Sequence, residues 1–143
     1  MPYHFLEEEA TSDVAFEATG EDLPRVFRSA GDALMNVMVD NIDAIQTREK
    51  RLIEIDNRDL DLLLLDVLQA LVYYKDAEQL LLRITQADIK KAKNVWHVKA
   101  TAKGEYLDRE RHHLLVDVKA VTLHDFRLEQ AENGWKAHVI LDI

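Results

Sequence analysis

An almost unbroken apolar run over residues 60–74 restricts the folds open to this chain more than any other stretch. Asp59 precedes the run, and apolar residues cover most of the circumference of the helix that it predicts. Such a helix has to be covered by other elements on more than one side. We therefore interpret it as a central core helix, in preference to an exposed surface for binding a partner.

A second helix is predicted from Leu23, because apolar residues recur at intervals of three and four up to Met38. Asp22 can cap its first turn, where Pro24 is also tolerated. The spacing gives this helix one apolar stripe and one polar face. We expect the apolar stripe to pack against the rest of the core.

Period-two alternation indicates strands in most of the remaining chain. The predicted strands are residues 3–8, 14–18, 80–84, 95–102, 114–122, 126–129 and 135–141, and residues 45–55 are predicted to form a hairpin with a charged turn at 48–51. Asn133-Gly134 predicts a hairpin between the last two strands, because both residues tolerate positive φ. The element order predicts one α+β domain over residues 1–143, a two-layer sandwich with two helices on one face of a largely antiparallel β-sheet.

Composition narrows the class of function. The chain has a net charge of -9 and a pI near 5.1, so direct binding to nucleic acid is disfavoured. Its one basic cluster, at residues 90–93, is interpreted as a solvated turn or strand end. Cysteine is absent, and no leader or membrane-length apolar span is visible, so we expect a cytoplasmic protein that does not contact membranes.

Common catalytic signatures are missing from the sequence. Its four glycines match neither a P-loop nor a dinucleotide-binding fingerprint. No serine lies in a nucleophile-elbow context, and the six histidines show no HExxH spacing. Carboxylates and one lysine are the remaining candidates for chemistry.

The candidate carboxylates come from two distant stretches of the sequence, one near each end. Asp13 falls at a strand boundary, and Asp142 and the carboxylate of Ile143 follow the last predicted strand. If the terminal strands are neighbours, three anionic oxygen groups meet in one corner, where a hard cation would offset their repulsion. Acidic strand ends without a metal are the alternative interpretation. Lys119 lies on the polar face of its predicted strand, where it is either functional or simply solvated.

Several motifs together resemble the archease family along almost the whole chain. They are Glu9-Ala10-Thr11-Ser12-Asp13-Val14, Gly104-Glu105, Arg111-His112, Lys119-Ala120-Val121-Thr122-Leu123-His124, Gly134-Trp135-Lys136-Ala137 and Leu141-Asp142-Ile143. The chain departs from the family pattern at Ala10, where histidine is usual, and at Ser12, where alanine is common. The chain is therefore identified as a member of the archease family.

The resemblance implies an accessory protein for the RtcB-type tRNA-splicing ligase. Such a protein promotes guanylylation of the ligase, permits multiple turnovers and broadens nucleotide use beyond GTP. The family's divalent-metal site, described as binding calcium, maps onto Asp13, Asp142 and Ile143, with magnesium and manganese as further possibilities. The functional lysine maps onto Lys119, and we take Lys119 and His124 as contacts to a partner or a phosphate.

Two other functions are left open by the sequence. One is a stand-alone metal-dependent phosphoesterase, in which Lys119 and His124 assist a metal-bound water. The other is a chaperone or modulator of other RNA-modifying enzymes, for which the apolar helix over residues 60–74 is the best support.

Overall fold

The computed structural model describes residues 2–6 and 13–143. Within these ranges the chain forms two α-helices, a short 3-10 helix and eight β-strands. In chain order they are β1 (Tyr3–Leu6), β2 (Asp13–Gly20), α1 (Leu23–Met38), the 3-10 helix (Ile42–Ala44), β3 (Glu49–Asn57), α2 (Leu60–Glu78), β4 (Leu80–Ala92), β5 (Val95–Tyr106), β6 (Ala120–Val121), β7 (Arg127–Ala131) and β8 (Gly134–Asp142). Neither helix combines the length and apolar character needed to span a membrane.

Helix α1 begins as the sequence predicts. The side chain of Asp22 accepts a hydrogen bond from the backbone N–H of Arg25 at 2.9 Å, which satisfies one of the free donors in the first turn. The apolar stripe is buried and packs against β2 and β4, which belong to different sheets. This helix therefore joins the two halves of the core.

Replacing Asp22 with alanine is expected to lower the free energy of unfolding by about 1 kcal/mol, the usual effect of losing an N-cap. Urea denaturation at neutral pH measures this change. Asp22→Asn keeps the acceptor oxygen and serves as the control, so an equal loss in both variants would contradict a capping role.

Helix α2 is the central core helix that the apolar run predicts, and it extends four residues beyond the predicted end, to Glu78. The helix ends at Gln79, which adopts a left-handed conformation with φ of 54°. Its buried side chains occur on more than one side, and they contact β3, β4 and β5 as well as β6 and β7. The extension contains Lys75, Asp76 and Glu78, whose charges end the apolar run before the helix itself ends.

The strands form two antiparallel sheets within the described ranges. The five-stranded sheet has the order β1-β2-β8-β6, with β7 also paired to β8, and the three-stranded sheet has the order β3-β5-β4. Two helices packed on antiparallel strands confirm the predicted α+β class. The strands are divided between two sheets, because β5 takes β3 and β4 as its neighbours, whereas β1, β2, β6 and β7 assemble around β8.

Two predicted β elements are corrected by the structure. Residues 45–55 do not form a hairpin, since the charged residues at 49–51 begin the continuous strand β3, an edge strand where charged side chains reach solvent. Residues 114–122 are predicted as one strand, but only Ala120–Val121 are in the sheet. The residues before Ala120 have the alternating sequence of a strand, but no strand in the described part of the chain pairs with them. Their one β contact there is a bridge between Val39 and Leu114.

Two hairpin turns carry the expected left-handed or glycine positions. The β7–β8 hairpin is confirmed, although its turn residues are Glu132 and Asn133, while Gly134, with φ of 143°, starts β8. Between β4 and β5, Lys93 and Asn94 both have positive φ, as a type I′ turn requires. The basic cluster at residues 90–93 therefore lies at a strand end and turn, as predicted.

The N-terminal strands are found with altered limits. β1 ends at Leu6, and residues 7 and 8 of the predicted strand lie outside the described residues. β2 is longer than predicted and starts at Asp13. Ala10 and Ser12, where the chain departs from the family pattern, also lie outside the described residues.

Candidate functional site: a carboxylate pair at the strand ends

Asp13 and Asp142 lie directly opposite each other in the structure. They are the last pair in the antiparallel register between β2 and β8, and both side chains are half-buried. Directly opposite residues in such a pair have Cβ atoms about 4.5–5.5 Å apart. Ile143 follows Asp142 immediately, so the residues that the sequence places at two distant points of the chain meet at one corner of the five-stranded sheet.

The buried face of these two strands fixes that register. Phe16 pairs with Val139, and Val14 pairs with Leu141, on the side that packs into the core. Since neighbouring residues of a strand point to opposite faces, Asp13 and Asp142 lie on the face away from the core. A slip of one residue would turn the apolar side chains outward, so the core enforces the pairing of the carboxylates.

Lys119 lies beside the other edge of the same strand end. Its backbone N–H donates a hydrogen bond to the carbonyl oxygen of Asp142 at 2.8 Å, and the next residue, Ala120, is the β6 partner of Asp142. The Lys119 side chain is exposed, and no carboxylate of the described residues forms an ion pair with it. Asp142 is therefore flanked by Asp13 on β2 and by the backbone of Lys119.

His124 does not join the carboxylate pair. It is exposed in the loop after β6, and its Nε2 atom lies 3.6 Å from a carboxylate oxygen of Asp125. Asp125 has a positive φ of 52°, which marks a tight turn at this point. The structure thus brings together Asp13, Asp142, Ile143 and the backbone of Lys119, and it places His124 on a neighbouring loop.

The carboxylate pair has the chemistry that a hard divalent cation requires. Two like charges face each other, and neither forms an ion pair with a basic residue in the described ranges. Oxygen ligands of this kind suit calcium, magnesium or manganese. No group of three or more His, Cys, Asp or Glu side chains in residues 2–6 and 13–143 is placed to hold a metal. A third oxygen ligand would therefore have to come from outside these side chains.

A buried ionic network around Glu105 is a feature whose role sequence reasoning missed. Glu105 is only 4% exposed and accepts a hydrogen bond from the backbone N–H of Gln46 at 2.7 Å. Arg111 donates to its other oxygen. His112, 2% exposed, lies 3.0 Å from Glu105 through Nε2, while its Nδ1 accepts from the backbone N–H of Asp108 at 2.9 Å. The Nδ1 contact leaves the Nε2 proton directed at Glu105.

The network shifts the ionisation of Glu105. Burial alone raises the pKa of this carboxyl, but the hydrogen bonds from Gln46, Arg111 and His112 outweigh burial and lower the pKa from 4.5 to about 2. The preceding Gly104 has no room for a side chain, because a Cβ atom there would lie 1.6 Å from the carbonyl oxygen of Leu81. The motifs Gly104-Glu105 and Arg111-His112 are therefore explained by close strand packing and by a buried ion cluster.

Lys75 is the second residue that sequence reasoning missed. It is 8% exposed, and its ammonium group bonds Asp76, Asp117 and the carbonyl oxygen of Val118. A signal was present in the sequence, because Lys75 falls four residues after Leu71 and three after Val72, on the buried stripe of α2. A charged residue on such a stripe indicates a partner inside the fold.

The fold and the site define a small α+β protein that carries paired carboxylates at the ends of two adjoining strands. Its sequence matches the Archease protein family (MTH1598/TM1083) over residues 3–143. The chain belongs to the archease family, which confirms the resemblance drawn from its motifs.

Similarity to individual archeases extends over nearly the full length. The archease of Pyrococcus abyssi is 35% identical over 136 residues, which are 94% of this chain and 95% of the relative. The archease of Methanosarcina mazei is 32% identical over 142 residues, 99% of this chain and 95% of the relative.

Two solved structures share the fold. The solution structure of Methanobacterium thermoautotrophicum protein 1598 is 33% identical, with a TM-score of 0.85 and 99% of each chain covered. A crystal structure from Thermotoga maritima, described as an archease and possible chaperone, has a TM-score of 0.62 at 18% identity and covers 98% of this chain and 99% of its own. The second similarity concerns the fold alone.

Proposed function

We propose that this archease is an accessory activator of an RtcB-type tRNA-splicing ligase. It would promote guanylylation of the ligase, permit multiple turnovers and broaden nucleotide use beyond GTP, without being a catalyst itself. One observation carries the proposal: the β2–β8 register sets Asp13 opposite Asp142, with Lys119 bonded to the same strand end. The proposal is supported because these residues, to which the family resemblance assigns a role, lie at one corner of the sheet.

A divalent cation is part of the proposal. Asp13, Asp142 and the carboxylate of Ile143 would hold it, with calcium as the first choice and magnesium or manganese as alternatives. When bound, the cation would offset the charge of the paired carboxylates and present a positive centre to anionic oxygens. The role of the protein in this site is to hold two carboxylates at a fixed separation on a rigid sheet.

Lys119 supplies the contact to the partner in this proposal. Its exposed ammonium group is available for a nucleotide phosphate or for a carboxylate of the ligase. Its backbone is fixed to Asp142, so the charge of the lysine is presented from a defined position. His124, on the following loop, would extend the same contact surface.

The net charge of -9 favours a basic partner surface over direct contact with RNA. An acidic activator and a basic RNA-ligase groove would attract each other over long range, which raises the association rate at low salt. Activation should therefore weaken as ionic strength rises. We place this encounter in the cytoplasm.

A guanylylation time course of the RtcB-type ligase, with and without the wild-type protein, tests the proposal. Lys119→Ala is expected to reduce stimulation about tenfold to hundredfold, the factor that corresponds to one hydrogen bond to a charged group. Lys119→Arg should retain part of the stimulation, and Lys99→Ala, a change of an exposed lysine on β5, should retain all of it. An absence of stimulation by the wild-type protein would contradict the proposed function.

The same assay separates the two alternatives. Hydrolysis of RNA ends that carry a cyclic phosphate by the isolated protein with a divalent metal would indicate a phosphoesterase. Stimulation of unrelated RNA-modifying enzymes would indicate a general chaperone or modulator. The apolar helix offered in support of a chaperone is α2, whose apolar side chains are largely buried in the core.

A further inference from the structure

The segment that carries Lys119 has a strand neighbour on one side only. Its sheet portion, β6, is two residues long and pairs with β8. On its other side lies helix α2. A strand of two residues contributes few backbone hydrogen bonds, so additional contacts have to hold the segment in place.

Gln69 of α2 bonds the backbone of this segment as a neighbouring strand would. Its side-chain Nε2 donates to the carbonyl oxygen of Val121 at 3.1 Å, and its Oε1 accepts from the N–H of the same residue at 3.4 Å. Both polar groups of Val121 on that side are thereby satisfied by one amide side chain.

Lys75 holds the same segment three residues earlier. Its ammonium group donates to the carbonyl oxygen of Val118 at 2.8 Å and to Asp117 at 2.6 Å, and it also bonds Asp76. These contacts use all three donors of the ammonium group, which is the condition for burying such a charge at acceptable cost.

The spacing of the two side chains matches the spacing of their targets. Gln69 and Lys75 are six residues apart on a helix, about 9 Å at the usual rise. Val118 and Val121 are three residues apart in extended chain, about 10 Å. Lys119 lies between the two anchored residues, and its own N–H is bonded to Asp142.

We propose that Gln69 and Lys75, together the α2 clamp, are positioning residues that fix the backbone of Lys119 beside Asp142. The clamp supplies the backbone hydrogen bonds that a second neighbouring strand would give to this segment. It thereby ties the backbone on either side of the exposed lysine to the core helix. The consequence for activation rests on the proposed function, whereas the effect of the clamp on the segment does not.

Two variants test the clamp. Lys75→Met keeps the aliphatic stem and removes the ammonium group, and its carboxylate partners Asp76 and Asp117 are exposed enough to remain hydrated. Gln69→Met removes both hydrogen bonds at a half-buried position. Lys99→Met applies the same chemical change to an exposed lysine on β5 and is the matched control.

Amide hydrogen exchange is the first measurement. The amides of Lys119 and Val121 are expected to exchange at least about tenfold faster in both clamp variants, as loss of local hydrogen bonding predicts, while amides in β2 and α1 keep their wild-type rates. Wild-type exchange at Lys119 and Val121 in both variants would overturn the clamp. Equally accelerated exchange throughout the protein would also overturn it, since that indicates a general loss of stability.

Ligase guanylylation is the second measurement. With saturating activator, the clamp variants are expected to lower maximal stimulation about tenfold, while Lys75→Arg, which keeps the charge and donors, recovers part of it. Faster exchange with full stimulation would overturn the positioning role. If wild-type protein and Lys119→Ala stimulate equally, the function proposed for Lys119 fails, and the exchange data still decide whether the clamp holds the segment.

Discussion

Asp142→Asn is expected to abolish both divalent-ion binding and stimulation of the ligase, while the fold is retained. Asparagine has nearly the same shape, so the β2–β8 register should persist, but the change removes one of two paired carboxylates. We expect calcium affinity to fall at least about 100-fold. Mutating a residue that only hydrogen-bonds to a metal ligand already lowers metal affinity 10–100-fold, and Asp142 would be a ligand itself. Calcium titration followed by thermal unfolding measures the binding, since a ligand that binds only the folded state raises the unfolding temperature.

Two comparisons sharpen that experiment. Asp88→Asn removes a carboxylate from β4 in the other sheet and should leave calcium binding unchanged. Without metal, Asp142→Asn should be slightly more stable than wild type, because like charges directly opposite each other on neighbouring strands are destabilising. A glycine added after Ile143 moves the terminal carboxylate and tests it as the third ligand. Wild-type calcium affinity in Asp142→Asn would show that the paired carboxylates are not the metal site.

Glu105→Ala is expected to cause the largest loss of stability, about 3–5 kcal/mol, as found when one partner of a buried ion pair is removed. The change would leave buried His112 and the backbone N–H of Gln46 without their acceptor. Urea denaturation at neutral pH measures the loss. Glu54→Ala, at an exposed position of β3, is the control and should change stability by less than about 0.5 kcal/mol.

The pH dependence of stability gives a second measure of the same network. The pKa of Glu105 is lowered from 4.5 to about 2 in the folded protein, so the folded state binds this proton less readily than the unfolded state. The stabilisation is therefore fully present above the unfolded pKa and is lost as pH falls from about 5 towards about 2. Glu105→Gln should flatten the stability profile in that window. A profile equal to that of wild type would contradict the pKa shift.

Local patterns predicted the two helices because each helix depends on short-range physics. The cap at Asp22 and the apolar run over residues 60–74 are visible within one helix length. The corner was predicted because strand alternation before Asp142 made an ordered end plausible. Its assembly depends on the pairing of Asp13 with Asp142, which the buried faces of β2 and β8 enforce.

The errors arose where local pattern and long-range pairing disagree. Residues 48–51 are charged like a turn, yet residues 49–51 begin the edge strand β3, where charged side chains reach solvent. Residues 114–119 alternate like a strand, but at Val118 the carbonyl oxygen is bonded by the side chain of Lys75 on helix α2 and not by a neighbouring strand. The division into two sheets depends on which strands pair with β5 and which pair with β8. The alternation of apolar and polar residues within a strand does not specify its neighbours.

The role of Lys75 was missed for a related reason. A lysine near the end of an apolar helix is usually solvated, and its partners Asp117 and Val118 lie more than forty residues further along the chain. The position of Lys75 on the buried stripe was the available clue. Contacts of this kind become predictable only when a charged residue is tested against the helical periodicity around it.

The central position of β8 also governs the order in which the protein can be built. β2 precedes β3, β4 and β5 in the chain, whereas its partner β8 follows them. The three-stranded sheet and both helices can therefore start to fold before β8 has been synthesised. The pairing of Asp13 with Asp142 forms only after β8 is available. A chain that lacks β8 would consequently have no pairing of Asp13 with Asp142.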